Sequence, residues 1–283
     1  MDMQPGLLTT LGGDAKQSPT AFALRHRTGA WLTCIDHLMR TVSPAESGHV
    51  AAWALDRGVE GEVAVTRMTA RTGTPKRPPA SHELLLWFGT PASDGTVVTA
   101  ATMLLDPAEQ SRAGGFAHAA DRASYVTAHA MARALLCGAL GCAPADVRIW
   151  RDEYGKPHAA MPDGGTAPLH FSISHTRGFV AVALAGCPVG IDVESARAAA
   201  AVEKLAPDVL STGALAALHS VEARHRGALF LRYWTLAEAL VKATGRGLAQ
   251  DLRGFTFTPS GEPRLLGVEP CFGPAERWRF GAL

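Results

Sequence analysis

Val189-Gly190-Ile191-Asp192-Val193-Glu194 is the stretch that decides how this chain is read. Apolar residues alternate with a period of two, which is the pattern of a β-strand. Val189, Ile191 and Val193 go to one face, while Gly190, Asp192 and Glu194 go to the other. The two carboxylates then stand roughly 6–7 Å apart along the strand. At that spacing they can converge on one hard cation, and all-oxygen ligation suits magnesium or manganese better than zinc. The spacing also fits a surface strand with two solvated acids, and taken alone it favours that plainer reading.

Two flanking segments change the balance. Upstream lies Phe171-Ser-Ile-Ser174-His175, a second short strand pattern ending in an imidazole. Downstream, residues 228–243 read as a helix with an apolar stripe of Leu229, Tyr233, Leu236, Leu240 and Val241, stopped by Gly245-Arg-Gly247. Trp234, Glu238 and Lys242 follow one another at i, i+4 and i+8, so they share one helix face. They read either as a solvated Glu–Lys pair or as a third oxygen ligand beside a cation for phosphate. Tyr154-Gly155-Lys156-Pro157 has the composition of a turn.

The order of elements predicts an α+β fold. Residues 1–80 read as an N-terminal extension and linker, with helices at 20–40 and 44–57 and a Pro-rich linker at 71–80. Met68 offers an alternative start. Strands are expected at 83–88, 97–105, 147–150 and 169–174, with a long helix over 124–140. Residues 179–185 are apolar on both faces and predict a buried central strand. Gly186-Cys-Pro188 would turn it into the carboxylate strand as a hairpin. Helices dominate 199–244, and strands are expected at 254–258, 263–267 and 277–281. Residues 81–283 thus form one domain with halves of about 81–180 and 181–283.

Composition sets the outer limits. The chain has 283 residues, 47% of them hydrophobic, enough for a sizeable core. A net charge of +1 gives no reason to expect nucleic-acid or membrane binding. Five cysteines, at 34, 137, 142, 187 and 271, form neither a metal-type pair of pairs nor a disulfide framework. With no long apolar run and no leader-like start, the expected location is the cytoplasm. Arg224, His225, Arg226, Arg232, Arg246 and Arg253 would surround the 228–243 helix with positive charge.

Together the motifs resemble the 4'-phosphopantetheinyl transferases, specifically the large Sfp-type class. The resemblance rests on Tyr154-Gly-Lys-Pro157, Phe171-Ser-Ile-Ser-His175, Val189-Gly-Ile-Asp-Val-Glu194 and Trp234 to Gly247-Leu248. The helix Tyr125 to Leu136, preceded by Arg112-Ala-Gly-Gly-Phe116, fits the same pattern, so about residues 105–258 are covered. The resemblance implies a pseudo-dimer of two similar lobes, each a small antiparallel sheet on a long helix, with the site between them. It implies transfer of the phosphopantetheine arm of coenzyme A to a serine of an acyl- or peptidyl-carrier protein, releasing 3',5'-ADP. The natural setting would be polyketide, nonribosomal peptide or fatty acid synthesis, with a leaning to secondary metabolism. The carrier would be an acidic, transient partner, and the enzyme a monomer.

The resemblance also implies roles. Asp192, Glu194 and Glu238 would hold magnesium, or manganese, and Glu238 would take the proton of the incoming serine. Lys242 would neutralise the diphosphate. Ser174 and a cationic His175 would bind nucleotide phosphates, Lys156 with Pro157 would contact coenzyme A, and Arg112 would suit the 3'-phosphate. Some positions depart from the pattern. Ala237 stands where relatives often carry Lys, no acid lies around Ser211-Thr-Gly213, Gly114-Gly115 replace basic residues, and the chain stops soon after Arg277-Trp-Arg-Phe280. Two other functions remain open: a catalytically weak relative that binds coenzyme A or a carrier protein, and a metal-dependent phosphohydrolase.

Overall fold

The computed structural model describes residues 47–56, 64–67, 74–143, 146–161, 163–198, 203–247, 250–268 and 270–283. Its architecture is α+β, built on two helices of 22 residues each, α3 (Ala119–Leu140) and α6 (Ala223–Thr244). Helix α3 is rich in alanine, the best helix former. It covers a four-stranded sheet of order β2–β3–β7–β6, made of Ala64–Arg67, Glu83–Gly89, Phe179–Ala185 and His170–Thr176. The β2–β3 pair is parallel and the other pairs are antiparallel. Val180, Val182 and Leu184 join Trp87 and Phe171 against Met131, Leu135 and Leu136 of α3.

Helix α6 covers a three-stranded antiparallel sheet of order β11–β1–β8, made of Trp278–Ala282, His49–Asp56 and Val189–Ser195. Ala52, Ala54 and Phe280 pack here with Phe230, Leu236 and Leu240. The remaining faces of the two sheets meet each other. Leu84, Leu86, Phe179, Ala181 and Ala183 pack on Trp53, Leu55, Val189, Ile191 and Val193. The layers therefore run helix, sheet, sheet, helix. The apolar residues of β8 are spent between the sheets, and Gly190, Asp192 and Glu194 turn toward α6. A side chain at 190 has no room, because a Cβ there would lie 1.9 Å from the Ala239 carbonyl oxygen. Glycine lets the helix rest on the strand backbone.

Four sequence expectations are corrected. The helix over 44–57 is instead β1, and it lies at the centre of a sheet, so this part of the expected 1–80 extension belongs to the core. Its Ala-rich sequence reads as helical, but both of its faces are covered, which removes the alternation that marks an exposed strand. The strand over 97–105 is helix α1 (Gly95–Thr102), nucleated by Asp94, whose side chain accepts from the Thr96 amide at 2.8 Å. A short apolar run such as Val97-Val98 does not separate the two. The β7–β8 hairpin does not form: the strands belong to different sheets and stack face to face, which buries both apolar faces at once. The strand over 254–258 shortens to β9 (Thr256–Phe257), paired with β10 (Leu265–Gly267). The helix expected at 20–40 lies outside the described residues.

Candidate active site

Strands β6 and β8 are each an edge of their own sheet, and they meet through side chains. The Ile191 amide donates to Ser172 Oγ at 3.1 Å, and the Val193 amide donates to Ser174 Oγ at 3.2 Å. Two edge amides thus find acceptors without a backbone ladder. The Ser-x-Ser spacing follows from this, since both hydroxyls must leave β6 on the same face. Ser174 Oγ also donates to Asp192 Oδ1 at 2.9 Å.

Helix α6 supplies the rest of this wall. Lys242 Nζ donates to Asp192 Oδ1 at 2.6 Å, to Ser174 Oγ at 3.0 Å and to the Ile191 carbonyl at 3.1 Å. Two turns earlier on the same helix face is Trp234, and Glu238 lies between it and Lys242. The i, i+4, i+8 face is therefore the face laid on β8. The Ser174 hydroxyl is engaged with Lys242, Val193 and Asp192, so it holds the carboxylate in place. Ala237 is buried in the α6 core.

The charges here are not balanced. Burial, reinforced by Asp192 and Glu238, pushes the Glu194 carboxyl up to about 7, against a hydrogen bond from Trp234 and the charge of Lys242. Burial and then Asp192 raise Glu238, with Lys242 opposing. Asp192 Oδ2 and Glu238 Oε1 are buried and have no partner among the described residues. Buried carboxylate oxygens without partners suit a hard cation that brings its own positive charge. Asp192, Glu194 and Glu238 are the residues that could hold one. Among the described residues, no three acidic, histidine or cysteine side chains are already gathered as a metal cluster. Magnesium sites of the open kind need no such cage, because water and substrate phosphate complete them.

The pocket beside this wall has a volume of about 440 Å³ and is lined from both halves of the fold. Glu238 and Lys242 of α6 line it. Arg151, Tyr154, Lys156 and Pro157 come from the ribbon of β4 (Arg148–Arg151) and β5 (Pro157–Ala160), and Tyr125 and His129 come from α3. Arg112, from α2 (Pro107–Gly114), and His175 complete the basic lining. Lys156 Nζ donates to the Ala243 carbonyl at the end of α6, and burial lowers its pKa to about 8. Gly245 makes that approach possible, since its φ of 78° closes the helix in the left-handed region. His175 is lowered to about 4 by burial, then by His129, Lys242 and Arg112. Its imidazole is neutral in the free pocket. It also lies on the opposite face of β6 from Ser174, edge-on to Tyr125 with centroids 5.8 Å apart.

Sequence reasoning missed Tyr125, His129, Arg151 and Tyr154. Tyr125, His129 and Arg133 recur every four residues along α3, a signal comparable to the one read in α6. The rim is also less free than composition suggested. Arg232 donates to the Gly261 carbonyl at 2.7 Å, and Arg253 pairs with Asp251 at 2.7 Å.

A family model described as the 4'-phosphopantetheinyl transferase superfamily matches residues 188–281, and one described as 4'-phosphopantetheinyl transferase, N-terminal, matches residues 91–187. The 4'-phosphopantetheinyl transferase HetI of Nostoc sp. is 30% identical, over 62% of this chain and 74% of its own length. The chain belongs to the 4'-phosphopantetheinyl transferase family. A 4'-phosphopantetheinyl transferase of Bacillus subtilis is 27% identical over 56% of this chain and 70% of its own, and the Sfp protein of Bacillus subtilis is 26% identical over 54% and 65%. The two matched spans meet at Gly186-Cys-Pro188, where the chain crosses from one sheet to the other. Every carboxylate of the family resemblance lies in the second span; Arg112, Lys156 and His175 lie in the first. Strand β1 lies outside both and still forms the centre of the second sheet.

Proposed function

We propose that this member of the family transfers the 4'-phosphopantetheine arm of coenzyme A to a serine of an acyl- or peptidyl-carrier protein. The observation that carries the reading is a strongly basic pocket ending at a buried acid, Glu238, with an unpartnered oxygen. Coenzyme A brings two phosphate groupings of the opposite charge, a diphosphate and a 3'-phosphate monoester.

Each side chain then has a task. Lys242 lies against the diphosphate and offsets its charge. Arg112 and His175 grip the 3'-phosphate, and Lys156 with Pro157 borders the nucleotide. Glu238, whose raised pKa makes it a better base than an ordinary carboxylate, takes the proton of the carrier serine. The serine oxygen bonds to the pantetheine phosphorus as the bond to 3',5'-ADP breaks, and the released nucleotide carries the displaced electron pair. Magnesium, or manganese, held by Asp192, Glu194 and Glu238, would supply charge neutralisation at the diphosphate. Because both halves of the pocket come from one chain, a monomer suffices. The free thiols at Cys137, Cys142, Cys187 and Cys271 fit the cytoplasm, where coenzyme A is found. Among the described residues, no helix is long and apolar enough to cross a membrane.

The test is a carrier-loading assay. Incubation with coenzyme A, magnesium and an apo carrier protein should add about 340 Da to the carrier. Nucleotide release without that gain would instead indicate hydrolysis, and binding without either product a non-catalytic relative.

A further inference from the structure

A second charged cluster reaches the same pocket through His129. Glu109 Oε1 lies 2.8 Å from His129 Nδ1, and Glu109 Oε2 accepts from Arg133 Nε at 2.7 Å. Arg133 also donates to Asp106 at 2.6 Å and to the Val147 carbonyl at 3.0 Å. Asp106 and Glu109 are locked in turn as the capping box of α2. The Glu109, His129 and Arg133 side chains are all buried. The carboxylate of Glu109 is an acceptor only, so His129 must carry its proton on Nδ1. This fixes the ring and leaves Nε2 as its one variable atom.

The setting of that ring is specific. It stacks on Tyr125 with centroids 4.0 Å apart, and the edge of His175 and the guanidinium of Arg112 meet the same tyrosine. Within the cluster two carboxylates, the buried Glu109 and the partly exposed Asp106, face the one guanidinium of Arg133. The groups facing the imidazole are Glu109 and Arg112 from α2, Tyr125 and Arg133 from α3, and His175 from β6.

We infer that His129 is a phosphate-binding residue, which donates from Nε2 to a phosphate monoester gripped together with Arg112 and His175. The inference rests on the coenzyme A reading above. The 3'-phosphate is the monoester of that molecule, and Arg112 and His175, which meet the same Tyr125 ring as His129, are the residues that reading assigns to it. His129 then determines specificity: it rewards ligands that carry the 3'-phosphate, with Glu109 positioning its ring.

The experiment compares coenzyme A with 3'-dephospho-coenzyme A by calorimetry on the full chain. Wild type should bind coenzyme A more tightly. His129→Gln should lose about tenfold or more of that affinity, the usual worth of a charge-assisted hydrogen bond, and little toward the dephospho ligand. Equal losses for both ligands, or none, would overturn the inference. If the variant does not fold, imidazole 1H–15N spectra of the wild type decide. Two histidines should gain a second ring proton or shift strongly with 3',5'-ADP but not with 5'-ADP, one of them starting with its proton on Nδ1. A single responding histidine would overturn the role of His129. Wild type that binds neither ligand would sink the coenzyme A reading itself, whereas normal carrier loading with no selective loss in His129→Gln would sink this inference alone.

Discussion

Lys242 Nζ and Asp192 Oδ1 are 2.6 Å apart, a contact that ties helix α6 to strand β8. Lysine and aspartate approach from different layers, fifty residues apart in sequence. Ser174 touches both, so three separate motifs meet at one point.

Removing this cation should stop transfer. Lys242→Met removes the cation bonded to the buried Asp192 carboxylate. Glu238→Gln keeps the shape of the side chain and removes the base. Each should slow single-turnover loading of a carrier by at least about 100-fold. Loading at the wild-type rate by Glu238→Gln would remove that residue from the chemistry.

Glu194 gives the fold a dependence on pH. Its carboxyl holds a proton up to about 7 when folded, against an ordinary 4.5. The folded state therefore binds more protons between these values, and the contribution of Glu194 is largest at the acid end and is lost as pH rises from about 4.5 to about 7. His175, depressed to about 4, slopes the opposite way between about 4 and 6.5. The informative measurement is thus the difference between wild type and Glu194→Gln in urea midpoint across this range. The variant should gain on wild type toward neutral pH. Magnesium, which displaces the same proton, should raise the wild-type melting temperature more above pH 7 than below it. Parallel curves for the two proteins would show that Glu194 is not perturbed.

Gly190 sets how closely the helix sits. A Cβ there would meet the Ala239 carbonyl oxygen and the Ala243 amide, which are backbone atoms that cannot rotate away. Gly190→Ala should cost about 3 kcal/mol or more in denaturant titration and weaken loading as Glu238 and Lys242 shift away from Asp192. An unchanged midpoint would mean that α6 does not press on β8 in this way.

A chain shortened to begin at Met68 should not fold. It lacks β1, which pairs with β8 on one side and β11 on the other, and whose Trp53 and Leu55 fill the space between the sheets. The readout is a cooperative thermal transition. A sharp melt with intact coenzyme A binding would show β1 to be dispensable.

Local periodicity carried much of this protein. The two-residue alternation at 189–194 and the four-residue steps at 234–242 needed no partner to be read, because strand and helix geometry alone decide which side chains share a face. The double-sided apolar run at 179–185 likewise announced a strand covered on both faces. Other features depend on what lies across the layer. The sequence His49–Asp56 is compatible with a helix until a sheet claims it, and Gly186-Cys-Pro188 permits either a hairpin or a crossover until two apolar faces are stacked. The occupied hydroxyl of Ser174, the neutral imidazole of His175 and the Glu109–His129 pair are results of burial and proximity, which sequence spacing does not contain. Residue types and their periods thus set which of the acids and the lysine share a face, and the family resemblance gave them their expected roles. Only the stacking of one half on the other, driven by apolar faces with no water to meet, put them beside one pocket.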